Sequence, residues 1–349
     1  MDATTIAVDL AKDVFEVVIA NGRGQIGDRH RFTRRRFERF LQTLPAGTEV
    51  VMEACGTAHY WGRHCRTLQL TPVLLPVQYV RAYVRRNKSD RTDAEALLEA
   101  RRCGELWPVP IKTPEQQALQ GLHRVRQQWQ KTRTARINTF RGLLREYGIN
   151  MAVGATTIKR QAPTLIAALE NDLPRRLVAA LQIVLTEIRD LEARIATLDA
   201  ELADAANTDD VGLRLQTIPG IGPITASALL GSVPHIHQFR RGRQFSSWLG
   251  LTPREAASGH RVWRGKISKR GDVYLRTLLI HGARSVLAQA HKRARLGRVA
   301  LTPLQRWVLG VDARRGFNKA ATALANHLGR VVWAVWHSEQ PYRHNPIAA

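Results

Sequence analysis

The stretch "TTIAVDLAKDVFEVVIA", residues 4–20, decides how the first third of this chain is read. It holds two apolar runs, 4–10 and 14–20, parted by a tight Ala-Lys-Asp turn. Runs rich in Val and Ile on either side of a turn signal predict two strands. Asp9 interrupts the first run on the side shared by Thr5 and Ala7. A carboxylate in that setting is costly to desolvate unless something pairs with it.

Working outward, residues 28–33 read as a third strand and 34–44 as a polar helix. "TEVVME", 48–53, reads as another strand, which ends on Glu53 as the first ends on Asp9. A helix through "AHYWGRHCRTL", a short buried strand in "LTPVLLP", and helices in "VQYVRAYVRR" and "DAEALLEARRC" follow. This order predicts one mixed α/β sheet covered by helices. If the two acid-bearing strands are neighbours, Asp9 and Glu53 meet at one edge of the sheet. Asp90 and Asp93, at i and i+3 on a helix, point the same way. Four oxygen donors of this kind suit two hard cations about 3.5–4 Å apart, a pair that serves phosphoryl transfer. The same "SDRTD" segment also reads as an ordinary helix start, with Ser89 or Asp90 as N-cap.

The totals point to a polyanionic partner. Among 349 residues, 53 Lys and Arg face 29 Asp and Glu, a formal charge of +24. Such a field draws in nucleic acid first and an anionic membrane surface second. No run approaches the roughly 18 apolar residues of a spanning helix. The first residues show no basic segment followed by an apolar core, so no signal peptide is expected. Cys55, Cys65 and Cys103 lack CxxC spacing and read as free thiols of a reducing, cytoplasmic compartment.

"IAVDLAKDVFEVVI", "VVMEACGTAHYW" and "KSDRTDAEALLEA" together resemble the three segments of a RuvC-like, ribonuclease-H-fold domain. More narrowly, they resemble the DEDD insertion-sequence transposases of the Piv/MooV type, a bridge-RNA-guided recombinase family. The resemblance implies that Asp9, Glu53, Asp90 and Asp93 form an acidic tetrad that binds Mg2+ or Mn2+. All four positions are filled as the family pattern asks.

"WPVPIKTP", 107–114, breaks the pattern with three prolines and reads as a linker. A long basic helix is expected over 115–147. Leu177, Leu181, Val184, Ile188, Leu191, Ile195, Leu198 and Leu202 then alternate steps of four and three, a coiled-coil repeat. Its partner is either the 115–147 helix of the same chain or a second chain.

"LQTIPGIGPITASALLG", 215–231, reads as the turn of a helix-hairpin-helix element, with Gly220 and Gly222 allowing a tight turn that exposes N–H groups to a phosphate. Between 249 and 287, Arg254, Arg261, Arg264, Lys266, Lys269, Arg270 and Arg276 are interleaved with Trp263 and Tyr274. Basic residues neutralise phosphates and aromatic rings stack on bases, so this stretch is expected to hold nucleic acid. Composition alone leaves Ser258 a polar loop residue. The resemblance changes that, since the C-terminal domain of the family carries a Ser-Gly motif whose serine attacks DNA and forms a phosphoserine intermediate. Ser258 is the matching position, with Ser268 as the fallback.

The expected organisation is α/β plus α. Residues 1–110 form the RuvC-like domain, 111–207 a helical, partly coiled-coil section, and 208–349 a mainly helical transposase domain. The expected function is a nucleoid-associated, site-specific DNA recombinase of an insertion sequence. The resemblance implies dimers that form a tetramer on DNA, and a noncoding bridge RNA that selects target and donor. Two other readings are a metal-dependent, structure-selective DNA nuclease and a non-catalytic nucleic-acid-binding scaffold.

Overall fold

The computed structural model describes residues 4–84, 90–104, 106–152, 154–169, 172–297 and 300–343. The side chains of Asp90, Arg91 and Ala155 are also outside the description. The chain divides into two compact units, residues 1–114 and 115–349.

In the first unit, β1 (Thr5–Asp9), β2 (Val14–Ala20) and β3 (Ile26–Thr33) form an antiparallel meander. After α1 (Arg34–Gln42), the chain enters β4 (Glu49–Glu53), α2 (Ala58–Thr67) and β5 (Thr71–Leu75). β4 lies parallel to β1, and β5 lies parallel to β4, giving the order β3-β2-β1-β4-β5. The short α3 (Val77–Val80) and one 3₁₀ turn precede α4 (Asp90–Arg102).

Alternation along the strands gives the sheet two buried faces. Ile6, Val8, Val50 and Met52 pack with Phe15, Phe37, Leu41 and Trp61, the face covered by α1 and α2. Phe15, Phe37 and Trp61 form an aromatic knot there, with ring centroids 4.9–5.3 Å apart. Ala7, Val51, Val73 and Leu75 line the opposite face, covered by Ala96, Leu97 and Ala100 of α4. The proline-rich segment after α4 is not a free linker. The Val109 N–H donates to Leu74 O at 2.7 Å, and Ile111 is buried against Gly62, where any Cβ would come within 2.7 Å of it.

The second unit is helical. α5 (Pro114–Arg145), α6 (Ala155–Ala168) and α7 (Arg175–Asn207) lead it. Leu181, Leu185 and Ile188 of α7 bury against Ile137, Phe140 and Leu144 of α5 and Ile158 of α6. Arg126 pairs with Asp199, and Arg136 with Glu187, so α5 and α7 run in opposite directions. The apolar seam of α7 thus faces helices of its own chain, the intrachain of its two expected partners. α8 (Asp210–Gln216), α9 (Pro223–Ser232), α10 (Gly242–Trp248), the hairpin β6 (Pro253–Ser258) and β7 (Arg261–Ile267), α11 (Val273–Leu296), α12 (Pro303–Arg315) and α13 (Phe317–Ser338) complete it. The turn between α8 and α9 passes close to α11. A Cβ on Gly220, whose φ is +87°, would lie 2.8 Å from the Gly282 carbonyl oxygen, so both positions must stay bare.

A buried polar network crosses this core. His123 of α5 is 4 % exposed, and its Nδ1 lies 3.0 Å from the Tyr274 hydroxyl and its Nε2 3.2 Å from Ser227 Oγ. Tyr274 therefore serves packing between α5 and α11 instead of the stacking role expected of it. Burial, and then the neighbouring Arg126, pull the His123 pKa down to about 4. Between about pH 6.5 and 4 the unfolded chain binds this proton and the folded chain does not, so stability falls as the pH falls through that window. At pH 5 the deficit is about 2 kcal/mol. Thermal unfolding of the wild type and His123→Gln at pH 8 and pH 5 checks this: the variant is expected to lose that part of the acid sensitivity.

Candidate active site

The two central strands decide where the acids lie. β1 and β4 pair in parallel with Ala7 beside Val51 and Val8 beside Met52, so the next residues, Asp9 and Glu53, end the strands side by side. Adjacent strands lie roughly 4.8 Å apart. Asp9 shares the face of Ala7, and Glu53 that of Val51, so both carboxylates rise on the side covered by α4. Both are half-buried.

α4 brings the third acid. Arg101 near its C-terminal end forms a two-pronged pair with Glu49, Nε to Oε1 at 3.0 Å and Nη2 to Oε2 at 2.9 Å. Glu49 opens β4, and Glu53 closes it. Arg101 thus pins the C-terminal end of α4 to the start of β4, and Asp93 lies in the first turn of the same helix. A second pair, Arg29 to Glu95 at 2.9 Å, ties the helix to β3.

Asp93 has a chemical oddity: its Oδ1 is buried and has no hydrogen-bond partner among the described residues. A buried carboxylate oxygen without a donor is expensive, and a cation relieves it directly. The surrounding donors are all hard oxygens, the set that suits Mg2+ or Mn2+. Among the described residues, no three acidic, His or Cys side chains converge closely enough to hold an ion by themselves. Asp90, the fourth expected acid, starts α4, and its side chain lies outside the described residues, as do Lys88 and Ser89 of the same motif.

The structure adds an acid that the sequence reading missed. Glu16 of β2 sits directly across from Asp9. Strand order then lines up Glu16, Asp9 and Glu53 across three neighbouring strands. Arg31 lies 3.2 Å from Glu16 and offsets part of the repulsion. The signal was in "VFEVVIA", where Glu16 breaks an apolar run on the face that Val14 and Val18 share.

Ser258 lies in the other unit, at the tip of the β6–β7 hairpin. It pairs with Arg261 across a two-residue Gly259-His260 turn, and Gly259 takes φ +55°, as primed hairpin turns require. Ser258, Arg261, Ala256 and Trp263 share one face by register. Every residue of β6 is exposed, and Ser258 makes no side-chain hydrogen bond among the described residues. Arg254, Arg261, Arg264 and Lys266 lie along this exposed hairpin, with Arg264 3.9 Å from Glu255. Ser268, at the hairpin base, donates its N–H to Thr252 O at 2.8 Å. Lys269 and the exposed Arg270 follow it, with the Lys269 N–H bonded to Gly250 O at 3.1 Å.

Arg276 departs from the expected basic face. It is 7 % exposed and donates Nη1 to Leu249 O at 3.1 Å, beyond the end of α10. Gly222 is the exposed N-cap of α9, ahead of Pro223.

A mixed sheet with carboxylates closing two neighbouring parallel strands fits a DEDD transposase domain. Residues 6–149 match the DEDD transposase family of the IS110 type, and residues 213–297 match the Transposase IS116/IS110/IS902 family. The chain is 41% identical over 344 residues to "Probable family 20 transposase" of Pseudomonas aeruginosa, covering 98% of this chain and 99% of that protein. It is 38% identical over 342 residues to the transposase for insertion sequence element IS1111A of Coxiella burnetii, covering 98% of this chain and 92% of that protein. It is 36% identical over 334 residues to the transposase for insertion sequence element IS1328 of Yersinia enterocolitica, covering 96% and 97%. The chain belongs to the IS116/IS110/IS902 family of transposases.

The Arg101–Glu49 clamp can be tested. Arg101→Met keeps the apolar stem and removes the pair. Transposition is expected to fall on the order of ten- to a hundredfold as α4 loosens from β4, with the circular dichroism spectrum retained. Undiminished transposition would mean that the apolar face of α4 places Asp93 without the clamp.

Proposed function

We propose that this transposase is a site-specific DNA recombinase in which Ser258 is the nucleophile and Asp9, Glu53, Asp90 and Asp93 hold Mg2+ or Mn2+. The reading is supported by Asp9 and Glu53 closing neighbouring strands and by Asp93, on the helix that covers that face, whose buried Oδ1 lacks a partner among the described residues. Ser258 Oγ forms a bond to phosphorus while the bond from phosphorus to a deoxyribose oxygen breaks. The serine proton is given up, and the departing oxygen takes one. A hydroxyl of another DNA strand then attacks the same phosphorus and frees the serine. The phosphoester is conserved throughout, so rejoining needs no ATP. Bound cations supply charge stabilisation at the phosphate.

The remaining parts follow the family resemblance. Arg254, Arg261, Arg264, Lys266, Lys269 and Arg270 grip phosphates near Ser258, and the turn at Gly220 and Gly222 acts as a helix-hairpin-helix contact to the backbone. A noncoding bridge RNA selects the DNA sites, and dimers assemble into a tetramer in the nucleoid of the cytoplasm. The charge of +24 supports a nucleic-acid partner. No helix among the described residues is long and apolar enough to cross a membrane.

One observation favours a second reading. Ser258 Oγ has no base within hydrogen-bonding distance among the described residues, and a serine without a base is a weak nucleophile. Water, activated at the acids, would then hydrolyse branched DNA. Cells carrying the gene with its native flanks, lysed in denaturant, separate the two. DNA covalently attached to the wild type and absent from Ser258→Ala is the expected result. Cut ends without an adduct, tolerant of Ser258→Ala, would establish the nuclease. Binding that salt weakens, without breakage under any divalent ion, would leave only a scaffold.

The metal site has its own test. Adding Mg2+ to protein treated with a chelator is expected to raise the unfolding temperature of the wild type by linkage. Asp93→Asn is expected to fold and bind DNA, to lose this rise, and to lose recombination.

A further inference from the structure

The first unit carries a second basic surface, on the sheet face opposite the carboxylates. Phe37 and Leu41 of α1 bury in the core, which leaves Arg34, Arg35, Arg36 and Arg39 exposed. None of the four makes an ion pair among the described residues, whereas Arg29, Arg31 and Arg101 of the same unit are all paired with glutamates. Three of the four fill the first turn of the helix, where there is no acid and Thr33 provides no side-chain cap. Cations at that end oppose the helix dipole. The chain therefore keeps a concentration of positive charge that costs stability in the free protein.

Aromatic surface adjoins it. The Arg34 guanidinium carbon lies 5.4 Å from the Tyr60 ring centroid and 5.2 Å from that of Trp61. Tyr60 is 43 % exposed, and its ring is parallel to that of His64 within 3°. Two buried ring nitrogens in this cluster, Trp61 Nε1 and His64 Nε2, have no hydrogen-bond partner among the described residues. A stacked guanidinium is held in place ahead of binding, so less freedom is lost when it meets a phosphate.

We propose that the α1–α2 face binds a single-stranded nucleic-acid segment, with Arg35, Arg36 and Arg39 on successive phosphates and Tyr60 beneath an unpaired base beside Arg34. A duplex hides the faces of its bases, so an exposed aromatic ring flanked by arginines fits an unstacked strand. The proposal concerns the sheet face opposite the acids of the first unit and holds whichever nucleophile the enzyme uses.

The test uses the full chain and fluorescence anisotropy with twelve-nucleotide oligo-dT, oligo-U and a blunt duplex across a salt series. Arg35→Ala/Arg36→Ala/Arg39→Ala is expected to weaken single-strand binding and lower the slope of log affinity against log salt by about 2, near 0.7 per lost phosphate contact. Tyr60→Ala is expected to weaken it roughly five- to a hundredfold with the slope unchanged. Tyr60→Phe, which keeps the ring, is expected to bind as the wild type does and guards against misfolding. Arg175→Ala/Arg176→Ala/Arg194→Ala on α7 removes the same charge from exposed sites elsewhere and is expected to change little. Losses shared by both oligonucleotides identify a DNA or RNA strand held by its backbone and stacking, and losses confined to oligo-U identify RNA. Equal losses in the α7 control, or oligonucleotide binding unaffected by Tyr60→Ala, would overturn the proposal. A serine adduct with unaltered oligonucleotide binding in the α1 variants would sink this surface alone.

Discussion

The parallel register of β1 against β4 is the constraint on which the first unit depends. Val8 beside Met52 puts Asp9 next to Glu53, and the period of two puts both acids on the face away from Phe15 and Trp61. A slip of one residue in β1 would drive Asp9 into that aromatic core and lift Ile6 and Val8 out of it. The apolar cost of the slip and the desolvation of a carboxylate point the same way. The core that stabilises the sheet therefore also fixes the carboxylates, and no loop is asked to place them.

The helix that completes the group is fixed from its far end. Arg101 and Glu49 form a half-buried pair with two hydrogen bonds, and its value is geometric. Ala96, Leu97 and Ala100 let α4 lie on the sheet, but small residues permit sliding. The forked contact at Glu49 fixes the C-terminal end of α4 against β4, and the Arg29–Glu95 pair fixes its first half against β3. The second unit solves a similar problem with neutral groups. His123 bridges Ser227 and Tyr274 where α5, α9 and α11 meet, and burial keeps it uncharged, so the network needs no counter-ion beyond the Arg126–Asp199 pair beside it.

Much of the first unit was legible because its strands carry the two strongest signals a sequence offers, alternation and turn chemistry. The order of elements, and the acids at the ends of two of them, followed directly. Glu16 stands out only in the structure, where the pairing of β2 with β1 sets it across from Asp9. The β6–β7 hairpin was read as a basic loop. "REAASGHRVWRGK" has no apolar face, and the structure leaves every residue of β6 exposed, so no period could announce it. Tyr274 and Arg276 were grouped with the nucleic-acid contacts since they follow the same basic run. They belong to α11, which buries Arg276 and half-buries Tyr274 against His123, and a run of charge does not reveal where a helix begins. The partner of the α7 seam was undecidable from its repeat alone, because either partner satisfies it.

The hairpin and the carboxylates show opposite physical designs. Asp9, Glu53 and Asp93 rest on a rigid sheet and a clamped helix. Ser258 rides on a two-stranded ribbon without a core of its own, with Val262 and Trp263 more than half exposed on opposite faces. An isolated hairpin of this kind is marginal in water. Its order therefore rests on the ladder between β6 and β7 and on its base at Thr252 and Ser268.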